Sequence, residues 1–143
     1  MSSTAPTPDE VLTTLLATPA RWAVVGLSTN TARAAYGVAA YLQSLGHTTV
    51  PVHPAAQTVH GEQGYTSLTQ VPGSIDVVDV FVASHRAGAV IDEAIQVGAK
   101  AVWLQLGVHD AAAERRAVEA GLVLVTDVCP KIEGPRLGVH PLR

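Results

Sequence analysis

The sequence predicts a single α/β domain built on a mainly parallel five-stranded sheet with helices on both faces. Three observations carry that prediction. Short Val-rich runs recur at residues 22–27, 48–53, 77–83, 101–106 and 123–126. They are continuously apolar rather than alternating, the pattern of strands covered on both sides. Helix-periodic segments lie between them at 34–45, 86–97 and 111–120, each followed by a glycine (Gly46, Gly98, Gly121) suited to a left-handed C-terminal cap. Strands alternating with helices pair in parallel through right-handed crossovers, which gives a doubly wound, Rossmann-like architecture.

Each element follows from its residues. Positions 1–8 are rich in Ser, Thr and Pro and read as a flexible N-terminus; the domain proper spans 9–137 and a tail 138–143. Asp9 is placed to cap or charge-stabilise a short helix through Leu16, whose Val11, Leu12, Leu15 and Leu16 share one face. Pro19 ends it. The first strand runs through Trp-Ala-Val-Val into Gly26 and a short polar turn before the helix at 34. Pro51 inside the second strand implies an edge position or a bulge. Asp79 interrupts the third strand, where a structural hydrogen bond is the better reading than catalysis.

Composition narrows the function. Charged residues make up 15% and hydrophobic residues 48%, as expected of one compact domain with a real core. A net charge of −3 supplies no general attraction to nucleic acid or to anionic membranes. No apolar run has the length of a membrane span, and the polar start lacks the form of a signal peptide. The single cysteine, Cys129, excludes an internal disulfide, so a reducing cytoplasm is expected. The six histidines occur singly, without the spacing that sets two metal ligands on one helix face.

In doubly wound sheets ligands sit outside the carboxyl ends of the strands, so the residues just after each strand are the candidates. After the first strand come Gly26, Leu27, Ser28, Asn30 and Arg33. Their backbone N–H groups, hydroxyl and guanidinium suit a phosphate at the helix N-terminus; the plain alternative is a tight turn with a Ser or Asn cap. After the second come Val52, His53 and Pro54, with His53 either a ribose or phosphate contact or simply a histidine facing water. Ser84, His85 and Arg86 follow the third. Gln105 and Gly107 follow the fourth, where a ligand can pass close over the backbone. Cys129 follows the last, a packed or ligand-adjacent thiol rather than a nucleophile, since no base is evident. Two absences argue against ordinary nicotinamide binding: one glycine stands where G-x-G-x-x-G needs three, and the second strand ends without an acid for the ribose.

The segments Val24-Val-Gly-Leu-Ser-Thr-Asn30, Pro51-Val-His-Pro54, Asp76-Val-Val-Asp-Val-Phe81, Ala101-Val-Trp-Leu-Gln-Leu-Gly107 and Asp127-Val-Cys-Pro-Lys-Ile-Glu133 together closely resemble small stand-alone CoA-binding domain proteins of bacteria and archaea. That family is similar in fold to the CoA-binding domain of the succinyl-CoA synthetase α subunit. The resemblance covers roughly 10–137. It implies coenzyme A as the ligand, CoA or acyl-CoA bound at the carboxyl edge without evident catalysis. Gly26, Ser28 and Arg33 would then hold phosphates and His53 would stand in a family V-N-P position. One departure concerns the third strand, where the family commonly has arginines after the Phe and this chain has Val82-Ala83-Ser84-His85-Arg86. The alternative function is a Rossmann module binding NAD(P) or another adenine nucleotide as a regulatory sensor; a small enzyme using Cys129 is weaker. Either leading reading expects a small-molecule partner, no nucleic acid and no membrane.

Overall fold

In the computed structural model, which describes residues 5–141, the order is α1 (Pro8–Ala17), β1 (Arg21–Val25), α2 (Ala34–Ser44), β2 (Thr48–Val52), β3 (Val77–Val80), α3 (Ser84–Gln96), β4 (Ala101–Leu104), α4 (Ala111–Glu119), β5 (Val123–Val125) and α5 (Pro130–Arg136). A short 3-10 turn, Leu68–Gln70, lies between β2 and β3. All five strands are parallel, in the spatial order β2-β1-β3-β4-β5. Among the described residues no helix is long and apolar enough to cross a membrane.

Alternation along the strands divides the core into two layers. Trp22, Val24, Val77, Ala101 and Trp103 face α1, α2 and α5. Ala23, Val25, Val78, Val80, Val102 and Leu104 face α3 and α4. The rings of Trp22 and Trp103 meet at 5.6 Å, both wholly buried. Gly46, Gly98 and Gly121 all take positive φ at their helix ends, as expected. Pro51 does lie on an edge strand. Its carbonyl faces away from β1 and accepts the Tyr65 N–H at 2.9 Å, so the ladder loses nothing where proline has no N–H to give.

The strands end earlier than their apolar runs, at Val25, Val52, Val80, Leu104 and Val125. Burial outlasts pairing: Leu27, Val82 and Gln105 stay buried after the ladder has stopped. α1 is capped by Thr7, not Asp9. The Thr7 hydroxyl accepts from Glu10 N–H at 3.2 Å and the Glu10 carboxylate accepts from Thr7 N–H at 2.8 Å, with Pro8 opening the helix. Asp9 instead accepts from the Arg136 guanidinium at 2.8 Å, binding α1 to α5. α5 itself escapes sequence reading, because two prolines and a glycine occupy its seven residues. It starts with Pro130, whose missing N–H costs nothing there, and its buried Gly134 leaves room for the Tyr41 hydroxyl, which a Cβ would strike.

His47 locks α1 onto the sheet. Its Nδ1 accepts from Ala20 N–H at 3.1 Å and its Nε2 donates to Leu16 O at 2.8 Å, both bonds made by the one neutral tautomer. Burial holds its pKa below the usual 6.5. The unfolded chain therefore takes up a proton first as pH falls below 6.5, and the folded state loses stability there. Thermal melts between pH 8 and 5 test this: His47→Gln melts lower at pH 8, by about 1–3 kcal/mol of stability for the bond it cannot replace, and shows a flatter acid limb than the wild type.

Candidate functional site

β1 lies between β2 and β3, and the chain leaves β1 toward one face and β3 toward the other. Those departures open a crevice at the carboxyl edge, the switch point of the sheet. Gly26 makes the opening possible. Its N–H donates to Val52 O at 2.8 Å, and it then turns at φ +104°. A Cβ there would stand 3.1 Å from both Cβ and O of Phe81 at the end of β3. Only glycine meets both demands.

The turn beyond Gly26 is braced by its own side chains. Ser28 Oγ accepts from Asn30 N–H at 3.2 Å, Asn30 Oδ1 accepts from Ala32 N–H at 3.0 Å, and Gln57 Oε1 accepts from Thr29 N–H at 3.2 Å. Then comes a contrast between helices. α1 and α4 have side-chain caps, Thr7 and Asp110. Among the described residues α2, α3 and α5 have none: Arg33, Ala83 and Cys129 stand at their N-caps without a capping bond, and of these Arg33 and Ala83 line the crevice. Two positive helix ends thus face the same space with Arg33 beside one and Arg86 beside the other.

That space is a cleft of about 770 Å³. The structure brings nine of the expected residues to it: Gly26, Ser28, Asn30, Arg33, Val52, His53, Pro54, His85 and Arg86. His53 is oriented by Ala55 N–H, which donates to its Nδ1 at 3.0 Å and so leaves the proton on Nε2. Five expected residues lie outside the cleft lining. Leu27 is fully buried against the α1 and α2 layer. Ser84 Oγ donates to Gly107 O at 3.2 Å and accepts from His109 N–H at 3.0 Å. The Gly107 N–H donates to Asp127 Oδ1 at 2.9 Å, so this stretch of the edge satisfies itself. Cys129 forms the N-cap of α5 and packs in the α1, α2 and α5 layer, across the sheet from α3.

Gln105 is turned inward. It is 6% exposed, and its Nε2 donates to Asp79 Oδ1 at 2.6 Å, which gives Asp79 the structural bond expected of it. Burial pushes the Asp79 carboxyl up to about 8, only partly opposed by the Gln105 bond, and Oδ2 has no partner among the described residues. Sequence reading also missed the inner wall of the cleft: Thr66, Ser67 and Leu68, together with Ala89, Val90 and Glu93 of α3. Residues 66–68 follow a long loop and carry no local signal. The helix residues did carry one, since 86, 89/90 and 93 fall on one face.

Two tests follow from this geometry. Gly26→Ala loses about 1–3 kcal/mol in denaturant unfolding, from a strained φ and the crowding against Phe81. For Asp79 the unfolded carboxyl ionises above its ordinary 3.8 while the folded one keeps its proton to about 8. Stability therefore declines as pH rises between those values and levels off beyond. Asp79→Asn retains an acceptor for Gln105 and removes that decline, so its melting temperature gains on the wild type as pH rises from 5 to 8.

Comparisons with known proteins agree with the fold. The family described as CoA binding domain matches residues 20–135. The Bacillus subtilis (strain 168) protein YneT is 32% identical over 112 residues, 78% of this chain and 83% of YneT. A hypothetical protein from Pyrococcus horikoshii OT3 is 35% identical, with a TM-score of 0.86 over 96% of this chain and 99% of that one. The dinucleotide forming acetyl-coenzyme A synthetase 1 of Ca. Korarchaeum cryptofilum, solved with phosphate and ADP, is 26% identical, with a TM-score of 0.65 over 79% of this chain and 26% of that synthetase.

Proposed function

The chain belongs to the CoA binding domain family, and on that premise we propose that it binds coenzyme A or an acyl-CoA in the cleft at the carboxyl edge, as a binding protein rather than a catalyst. The observation that carries the reading is the pair of uncapped helix N-termini, α2 and α3, opening on one cleft with an arginine beside each. Unpaired N–H groups and guanidinium donors are what phosphate oxygens require. Apolar walls from Val25, Val52 and Val82 suit the uncharged parts of such a ligand.

Of the residues expected from sequence, Gly26, Ser28, Arg33, His53, His85 and Arg86 have the support of lining the cleft. The residue after β2 in this chain is His53, whose Nε2 offers a donor where an acid would accept. This favours CoA over a nicotinamide cofactor held by its ribose hydroxyls.

Calorimetric titration with CoA, acetyl-CoA, NAD and ATP tests the reading. CoA or acetyl-CoA binds more tightly than NAD or ATP, and Arg33→Ala weakens that binding by about 1–3 kcal/mol, the scale of a charge-assisted hydrogen bond. No heat with either thioester or thiol form, from protein that melts normally, overturns it.

A further inference from the structure

We propose that the free edge of β5 and the flank of α4 beside it form a two-fold interface with a second copy of this chain, joining two sheets into one of ten strands. The sheet has two edges, and the chain closes one of them. Outside β2 the segment at Tyr65 pairs with Val52: the Tyr65 N–H donates to Pro51 O at 2.9 Å and its O accepts from His53 N–H at 3.0 Å. Outside β5 nothing pairs among the described residues. The N–H groups of Val123 and Asp127 donate inward, to Lys100 O and Leu104 O, so by alternation the N–H and C=O of Leu124 point out. An edge strand is ordinarily guarded by a charge, a proline or a bulge. Val123-Leu-Val125 has none of these, only its shortness.

A two-fold axis through Leu124 sets its N–H and C=O against those of its own copy, the hydrogen-bonded pair of an antiparallel ladder, so donor and acceptor are satisfied together. Short strands supply few such bonds, and the side chains on both faces of the edge supply the rest. Val123 is 41% exposed on the face it shares with Val125, and across the axis it meets Val125 of the second copy. α4 lies on the opposite face. Arg116 binds Asp92 of α3 at 2.9 Å, and Val118, about 200° further round the helix, faces away from α3 and out past β5. It is 56% exposed. The axis lays the two α4 helices antiparallel, each running past the last turn of the other. Arg115 and Glu119 stand exposed on that helix, and among the described residues neither has an ion pair. In the antiparallel pair Arg115 of each copy reaches Glu119 of the other. The surface is thus complementary to itself in backbone hydrogen bonding, in apolar contact and in charge, which selects a second copy over an unlike partner. No residue of β5 or α4 lines the cleft, so the interface is independent of the ligand.

Sedimentation equilibrium of the whole chain tests the proposal, and the wild type sediments with twice the mass of one copy. Arg115→Glu leaves only carboxylates at the two contacts, and Glu119→Arg leaves only guanidinium groups. Each variant alone therefore dissociates, its dissociation constant raised about tenfold or more by like-charge repulsion. Mixed one to one, the two variants restore opposite charges at both contacts and recover the dimer, which pairing within a single helix cannot do. Both positions are exposed, so each variant melts as the wild type does. A monomeric wild type overturns the proposal. So does a dimer that neither substitution weakens, or a pair of variants that stays dissociated when mixed. Hydrogen exchange decides without any substitution: in the wild type the Leu124 amide exchanges more slowly as protein concentration rises. A Leu124 amide whose exchange ignores concentration overturns the interface.

Discussion

The close approach of Gly26 to Phe81 is the constraint on which the rest of the site depends. β1 and β3 are paired up to Val25 and Val80, and one residue later the two chains must separate to opposite faces of the sheet. Gly26 achieves this with a backbone turn that a side chain would block, 3.1 Å from Phe81. Because β1 leaves at that point, α2 starts over one face; because β3 continues past it, α3 starts over the other. The residues at both helix starts, Arg33 before α2 and Ala83 before α3, then line the same crevice. A local steric requirement of one residue thus becomes the electrostatic character of a cleft.

The two halves of the carboxyl edge use their polar groups differently. Between the ends of β3, β4 and β5 many side-chain donors and acceptors are consumed internally: Ser84 with Gly107 and His109, Gly107 with Asp127, Gln105 with Asp79. Asp127 even adopts φ +59° to hold its side chain beneath the Gly107 N–H. At the starts of α2 and α3, among the described residues, no side chain caps the helix and the Arg33 and Arg86 guanidinium groups make no protein hydrogen bond. A buried polar group without a partner costs on the order of 1–3 kcal/mol, so a fold satisfies what it buries and can leave unpaired only what water or a ligand reaches. The open half of the edge is where that freedom was kept.

Much of this was legible in the sequence, and the reasons for success and failure are physical. Continuous Val-rich runs marked strands because burial on both faces removes alternation, and Pro51 marked the edge because it has no N–H for an inner ladder. The first-turn residues and His53 were legible because parallel sheets put strand ends on one side. Gln105 was misplaced because chain position says which edge a residue occupies but not which way its side chain turns; the buried Asp79, one strand over, drew it inward. α5 was invisible for the opposite reason. Tertiary contacts with α1 through Arg136 and with α2 beside Gly134 stabilise a helix that propensity opposes. Leu68 was unreadable as a wall of the cleft, since its place comes from long-range packing in the α3-side core and from its N–H bond to Glu93, 25 residues away.

Global charge gave no hint of the site, and the scale of screening explains why. A net −3 spread over the whole surface acts on an anionic ligand only weakly beyond about 8 Å at physiological ionic strength. Inside the cleft the relevant neighbours are Arg33 and Arg86, with Glu93 also in the lining. The sign of the protein and the sign of its binding site are therefore independent quantities. What sets the second is local: Arg33 at the start of α2 and Arg86 in the first turn of α3 line one cleft.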